Sequence, residues 1–141
     1  MTADNAKKTS RFIKLCDQFN IPIISFVYEP GFLIGPDAEK NATILHGTEA
    51  VLAAVDSTIP WCSVLIRKSF GVGSAAHFGP ESYVLAWPSS EAGPLPLEGG
   101  IAIAFGKEIS QAKDPEAKRK EIEERLAKSQ SPFPRAEALS V

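Results

Sequence analysis

One stretch of the chain, residues 62–79, limits the possible folds more than any other. An apolar run of strand type at residues 62–70 leads into a turn that contains Gly71 and Gly73, and small residues that suit a helix follow. Glycine permits backbone angles and close approaches that a Cβ resists, and the start of a helix presents unpaired N–H groups. Such a loop can stabilise a developing oxyanion through backbone amides alone. A turn that only connects a strand to a helix is the simpler explanation of the same residues.

The same loop also matches a nucleotide-binding pattern. Residues 71–76 fit the relaxed dinucleotide fingerprint G-x-G-x-x-A. Glu91 follows about twenty residues later, which is where such a fingerprint places the acid that contacts ribose. However, the next strand-type run, residues 82–87, begins too soon after Gly73, because a parallel crossover helix needs about a dozen residues. Pro80 also interrupts this interval. Nucleotide binding is therefore not expected.

Composition and charge exclude several classes of partner. The 141 residues are 44% hydrophobic, enough for one domain with a core, and the net charge of −2 provides no electrostatic attraction for nucleic acid or an anionic membrane. No apolar run approaches the roughly twenty residues of a membrane helix, and the N-terminus lacks the apolar segment of a signal peptide. Cys16 and Cys62 lack metal-ligand spacing, and His46 and His77 stand apart. We expect a cytoplasmic protein with no bound metal, no nucleic acid and no membrane.

Hydrophobic periodicity predicts alternating helices and strands. Residues 21–27 are apolar on both alternating faces, which is typical of a strand buried between two layers. The alternation indicates an α/β fold, with a layered and mostly parallel sheet flanked by helices. Three strands are few, so we expect another domain or another copy of the chain to complete the sheet. The predicted segments are helices at 9–20, 37–57, 101–109 and 114–128, strands at 21–27, 62–70 and 83–87, and an irregular stretch at 89–100.

A second loop, residues 30–35 with the sequence PGFLIG, also has an unusual composition. Two glycines bracket Phe32, Leu33 and Ile34, and apolar residues in a loop need a partner. Two explanations stay open. The three side chains either close the end of the core, or form a wall for an apolar ligand or a contact with another subunit.

Six segments of the chain, taken in order, resemble one known family. They are RFIKLCDQFNIPIISFV, PGFLIG, LIRKSFGVGSAAHFG, YVLAWPSSEAG, EGGIAIAFGKEI and DPEAKRKEIEERL. Their order and spacing resemble the C-terminal half of the carboxyltransferase (beta) subunit of biotin-dependent acyl-CoA carboxylases, of the propionyl-, methylcrotonyl- and acetyl-CoA carboxylase type. The resemblance covers nearly the whole chain. It implies a crotonase (ClpP-like) fold, with residues 1–141 as a single biotin-side domain and the N-terminal acyl-CoA domain absent, as in a fragment.

The resemblance implies an activity and assigns site residues. The activity is transfer of a carboxyl group from carboxybiotin, held on a carrier protein, to the α-carbon of an acyl-CoA. The backbone N–H groups of Val72 and Gly73 would form the oxyanion hole for the ureido oxygen, which gains negative charge when the carboxyl group leaves. The anionic biotin nitrogen would then take the α-proton. The remaining assigned positions are Gly71, Ser74, Gly31 and Phe32 at the biotin and Ala75 at the acyl pocket.

The glycine loop departs from the family's pattern. The family usually has two adjacent glycines and then alanine where this chain has Gly71, Val72 and Gly73, and a bulkier or charged residue where it has Ala75. The two amides remain in either case, so the departures concern substrate preference rather than oxyanion stabilisation.

The resemblance also implies a set of partners. These are an acyl-CoA, the biotin carboxyl carrier and biotin carboxylase components, the carboxyltransferase N-terminal domain and further copies in a homo-oligomer. A non-catalytic assembly module of the same fold is one alternative. A crotonase-type acyl-CoA hydratase or decarboxylase is another, which is disfavoured because it needs a positioned acid or base that the sequence does not offer.

Overall fold

The structure, a computed structural model, describes residues 1–138 except for the side chain of Glu98. The last three residues of the predicted domain, 139–141, lie outside the described part. The helices are α1 Ala3–Gln18, α2 Pro36–Lys40, α3 Thr43–Val55, α4 Leu97–Ser110, α5 Pro115–Gln130 and α6 Phe133–Glu137, with a 3₁₀ helix at Val72–His77. The strands are β1 Ile23–Glu29, β2 Trp61–Phe70, β3 Tyr83–Ala86 and β4 Glu91–Gly93.

The described strands form one sheet with β2 at its centre. β1 pairs with β2 on one side, and β3 and β4 pair with successive parts of β2 on the other; every pairing is parallel. β1 is an edge strand, since within residues 1–138 it pairs only with β2. The predicted α/β fold with a mostly parallel sheet is therefore confirmed. The prediction of irregular structure at residues 89–100 is wrong, because residues 91–93 take strand geometry by pairing with the end of β2 and α4 already begins at Leu97.

The helices α1 and α3 and the 3₁₀ helix cover one face of the sheet. Small residues let α3 lie close to α1, and the ring of Phe32 occupies the space that a Cβ on Gly47 would need. Phe32 therefore packs into this layer, as the first explanation of the PGFLIG loop predicts. The buried cluster between the helices and the sheet consists of Ile13, Cys16, Ile23, Ala53, Ala54, Ile59 and Trp61.

The opposite face of the sheet is open. The alternate side chains of β1, Ile24, Phe26 and Tyr28, are 66%, 65% and 55% exposed. Tyr83, Leu85 and Trp87 are exposed in or directly after β3, and the pairing register places Ile24 and Tyr83 on either side of Cys62. The prediction of a strand buried between two layers is therefore wrong for the described residues. The sequence shows that both faces of β1 are apolar, but helices cover only one of them.

The single helix predicted for residues 37–57 is two helices. The Asn41 side chain donates a hydrogen bond of 2.7 Å to the carbonyl oxygen of Asp37 and ends α2, and Ala42 has a left-handed φ of +53°. Asparagine side chains compete in this way with the helical backbone, so α3 begins in a new direction.

The helices α4 and α5 pack against each other near β4. Asp114 caps α5 by accepting a 3.1 Å hydrogen bond from the Ala117 N–H, and Pro115 stands at the first helical position, as the sequence predicts. Ile122 is fully buried, while most of α5 is exposed. No helix between residues 1 and 138 combines the length and the apolar character that crossing a bilayer requires.

Candidate functional site

The glycine loop holds its shape through its own hydrogen bonds. Gly71 has φ +64° and ψ −169°, a conformation that is essentially restricted to glycine, and its N–H donates to the Gly93 carbonyl at 3.0 Å. The Gly71 carbonyl accepts from both the N–H and the hydroxyl of Ser74, at 3.3 and 2.8 Å. Ser74 thus fixes the loop through its hydroxyl group.

The residues after Gly71 form a 3₁₀ helix rather than the α-helix that the pattern suggested. The first N–H groups of any helix have no partner inside it. The hydrogen bonds found between residues 1 and 138 include none from the N–H of Val72 or of Gly73. Gly73 is a buried residue, whereas Val72 is exposed. Among the described residues, neither of the two predicted oxyanion donors has a protein acceptor.

The PGFLIG loop packs directly on the glycine loop. A Cβ added to Gly73 would lie 3.3 Å from the carbonyl carbon of Gly31 and from the nitrogen of Phe32. Glycine at position 73 permits this approach, and Gly31 has φ +119°. The structure thus brings together Gly31, Phe32 and Gly73, which the resemblance assigned to one cleft. Leu33 and Ile34 are exposed, so the second explanation of the PGFLIG loop stays open for these two side chains.

A cluster of polar groups lies behind the two loops. Glu29, at the end of β1, is 7% exposed; its Oε1 accepts from the Gly31 N–H at 3.1 Å and lies 2.7 Å from the Met1 ammonium. Its Oε2 lies 3.9 Å from Nε2 of His77, the last residue of the 3₁₀ helix. The other ring nitrogen of His77 is 3.2 Å from the Ser25 hydroxyl. The sequence pattern did not predict this cluster, although a glutamate at the end of an apolar strand is a signal, because buried glutamates are nearly always paired.

The surroundings of Glu29 set its charge state. Burial raises the pKa of its carboxyl group, but the His77 imidazole, the Met1 ammonium and the Gly31 N–H together outweigh burial, and the pKa lies below the ordinary 4.5. Glu29 is therefore ionised at neutral pH.

The lowered pKa predicts a pH-dependent contribution to stability. A carboxyl group with a depressed pKa stabilises the fold fully above its unfolded value of 4.5, and this contribution is lost as the pH falls through the lower folded pKa. We expect Glu29→Gln to be less stable than the wild type at neutral pH, with a difference that narrows in acid. Urea unfolding of both proteins across this pH range measures it. A difference that stays constant below pH 4.5 would contradict the prediction.

A cavity of about 410 Å³ lies beside β1 and not at the glycine loop. Its walls come mainly from α1 and β1, and Trp61, Ala76 and His77 complete them; neither Val72 nor Gly73 lines it. The glycine loop meets the PGFLIG loop at the surface, where the Val72 side chain is 67% exposed. Within residues 1–138 no three His, Cys, Asp or Glu side chains cluster as metal ligands would.

Comparisons with known proteins place the chain in a family. The family described as the carboxyl transferase domain matches residues 1–141. The propionyl-CoA carboxylase carboxyltransferase subunit of Haloferax mediterranei is 39% identical over 137 residues, covering 94% of this chain and 26% of that protein. The methylmalonyl-CoA carboxyltransferase 12S subunit of Propionibacterium freudenreichii subsp. shermanii is 39% identical over 122 residues, covering 83% of this chain and 23% of that protein.

A solved structure agrees with these relatives. A transcarboxylase 12S structure, described as a hexamer with methylmalonyl-coenzyme A and methylmalonic acid bound, superimposes with a TM-score of 0.88 and 34% identity. The superposition covers 100% of the present chain and 28% of the transcarboxylase 12S chain. The chain spans about a quarter of the length of the curated relatives it matches. The predicted crotonase fold is confirmed by this likeness. The chain belongs to the carboxyl transferase family.

Proposed function

We propose that this chain is the biotin-side part of a carboxyltransferase centre, which moves a carboxyl group from carboxybiotin on a carrier protein to the α-carbon of an acyl-CoA. One observation carries the proposal: the N–H groups of Val72 and Gly73 are adjacent, have no acceptor within the described chain and lie on a loop fixed from both sides. Two relatives, a propionyl-CoA carboxylase subunit and a methylmalonyl-CoA carboxyltransferase subunit, support this reaction class.

The geometry suits charge stabilisation by the backbone. When carboxybiotin releases its carboxyl group, negative charge develops on the ureido oxygen, and two fixed N–H donors lower the energy of that charge without reorganising. The ureido nitrogen, left anionic, accepts the α-proton of the acyl-CoA, and the α-carbon then bonds to the carboxyl group. No side-chain base of this chain takes part. Gly71 and Ser74 keep the donors in place through their mutual hydrogen bonds.

The other proposed site residues shape the space around these donors. Gly31 and Phe32 form the neighbouring wall, because their backbone lies 3.3 Å from the position that a Cβ on Gly73 would take. Ala75 lies one turn along the 3₁₀ helix and is half-buried. We propose that its small side chain leaves room at the acyl end of the site and so influences which acyl-CoA is accepted.

The open face of the sheet supports the proposed partners. Exposed aromatic and aliphatic side chains on β1 and β3 form an apolar surface, typical of a surface that another polypeptide covers. We propose that the acyl-CoA-binding N-terminal domain and other copies of the subunit cover it, in a homo-oligomer served by the biotin carboxyl carrier and biotin carboxylase components. One solved relative is described as a hexamer.

The same site can run the transfer in the opposite direction. Relatives named methylmalonyl-CoA decarboxylase subunit alpha, from Propionigenium modestum and Veillonella parvula, are 36% and 37% identical to this chain. A site that stabilises the ureido oxygen anion lowers the same barrier for transfer from acyl-CoA to biotin, so decarboxylation is the second candidate function. A module that only assembles with partners would leave both amides without a ligand.

The test follows the backbone amides by NMR. Biotinylated carrier is expected to shift the amide signals of Gly71, Val72 and Gly73, while the same carrier without biotin leaves them in place. Free biotin, added separately, shows whether the carrier protein contributes to binding. Signals that stay unchanged with excess biotinylated carrier would contradict the proposed biotin site and favour the assembly module.

A further inference from the structure

The carboxylate of Glu29 reaches both loops of the site at once. Its Oε1 accepts from the N–H of Gly31, which packs directly on Gly73. Its Oε2 faces His77 Nε2 at 3.9 Å, at the opposite end of the 3₁₀ helix from Val72. A single buried side chain thus lies between the loop that borders the donors and the helix that carries them.

His77 is held on its other sides. Its Nδ1 is 3.2 Å from the Ser25 hydroxyl, and its carbonyl oxygen accepts from the Ser63 hydroxyl at 2.7 Å. Its Nε2 is buried and has no hydrogen-bond partner within residues 1–138. A buried ring nitrogen without a partner is unfavourable, and the Glu29 carboxylate is the acceptor that a small movement would bring into range.

We propose that Glu29 and His77 are positioning residues of the oxyanion hole, linking the end of the 3₁₀ helix to the PGFLIG loop and thereby fixing the direction of the Val72 and Gly73 amides. The inference rests on the proposed function of that loop. Neither side chain needs to touch a substrate, because each acts through the backbone segment to which it is joined.

The charged groups around the pair are few. The Met1 ammonium contacts Glu29 Oε1, and Lys8 of α1 and Tyr28 of β1 line the same cavity as the pair. From β2 the cavity receives only Trp61, which carries no charge. Glu29 is ionised at neutral pH. Among side chains in general, the imidazole is the one whose charge ordinarily changes between about pH 5 and 8. A positive charge on the His77 ring would strengthen its attraction to the ionised Glu29 carboxylate, which lies 3.9 Å from Nε2.

The experiment is an NMR titration of the ligand-free chain between about pH 5 and 8. The amide signals of Val72 and Gly73 are expected to move together with the ring signals of His77. His77→Gln is expected to abolish this pH dependence, and Glu29→Gln to reduce it. His46→Gln is the matched control, since His46 lies on α3 and pairs with Glu49 at 2.9 Å; it should leave the titration unchanged.

The outcomes separate this inference from the proposed function. If the Val72 and Gly73 signals keep their pH dependence in His77→Gln, or lose it in His46→Gln, the positioning role is wrong. If His77→Gln does not fold, two other measurements decide the same question. They are whether the amide signals follow the His77 ring signals in the wild type, and whether Glu29→Gln reduces the pH dependence of the amide signals. If the wild-type chain shows the coupled titration but its amide signals do not respond to biotinylated carrier, the positioning role is supported and the proposed biotin site is contradicted. A merely structural pair would leave the amide pH profile flat.

Discussion

Replacing Val72 by proline is expected to lower the turnover number for carboxyl transfer by about 10²- to 10³-fold in the assembled carboxyltransferase, the loss typical of one missing oxyanion donor. Val72 is the first residue of the 3₁₀ helix, where proline's fixed φ fits and no hydrogen bond inside the helix is lost. The substitution therefore removes one N–H while leaving the path of the chain in place. Steady-state rates of carboxyl transfer, compared at saturating acyl-CoA, measure the effect.

Val72→Ala is the matched control for this experiment. It keeps the N–H and removes only the exposed part of the side chain, so its rate should stay close to that of the wild type. Equal losses in both variants would assign the effect to the side chain. Full activity of Val72→Pro would show that the Val72 amide is not a donor.

Replacing Phe70 by alanine is expected to lower the free energy of unfolding by about 3 to 5 kcal/mol, the usual cost of deleting a buried aromatic ring. Phe70 is 1% exposed and ends β2 immediately before Gly71. Its ring lies 3.6 Å from where a Cβ on Gly93 of β4 would be. The substitution leaves a cavity directly beneath the glycine loop. Urea unfolding at neutral pH, followed by circular dichroism, measures the change.

Phe26→Ala provides the comparison for Phe70→Ala. Phe26 is also a strand phenylalanine, but its ring is on the open face, so in the dilute chain without its proposed partners its removal should change the free energy of unfolding by no more than about 0.5 kcal/mol. A large loss for Phe26→Ala would mean that the open face is covered in solution by a second copy of the chain. A small loss for Phe70→Ala would mean that the loop above it collapses to fill the space.

The sequence predicts those helices and strands whose formation depends mainly on residues within the segment itself. Residues 62–70 lie within β2, and the helix predicted at 114–128 matches α5 except that Asp114 is its N-cap, because the apolar run and the Asp-Pro start are properties of the segment itself. The strand β4 could not be predicted, since its three residues become a strand only through hydrogen bonds to β2. The open face could not be predicted either, because an apolar alternation shows which side chains can be buried and not what covers them.

The candidate site also has a part that the sequence predicts and a part that it does not. The glycine loop is visible in the sequence because Gly71 needs a conformation that other residues avoid. The assignment of Gly31 and Gly73 to the same site came from the family resemblance, and the structure adds their close approach. The pair of Glu29 and His77 joins a strand end to a distant helix, and no periodicity or spacing within one chain encodes such a contact. The assignment of Val72, Gly73, Ser74 and Ala75 to biotin and acyl groups stays a prediction.

The edge position of β1 has a practical consequence for producing this chain. Residues 23–28 read IISFVY, a run of strong β-formers without charge or proline, and they lie where the sheet offers free backbone groups. Such a segment templates the growth of intermolecular sheets, the route by which proteins enter amyloid-like aggregates and inclusion bodies. Yield in a host cell should therefore depend on how quickly another polypeptide covers β1 after synthesis, so co-translation with that polypeptide would protect the chain better than refolding it alone.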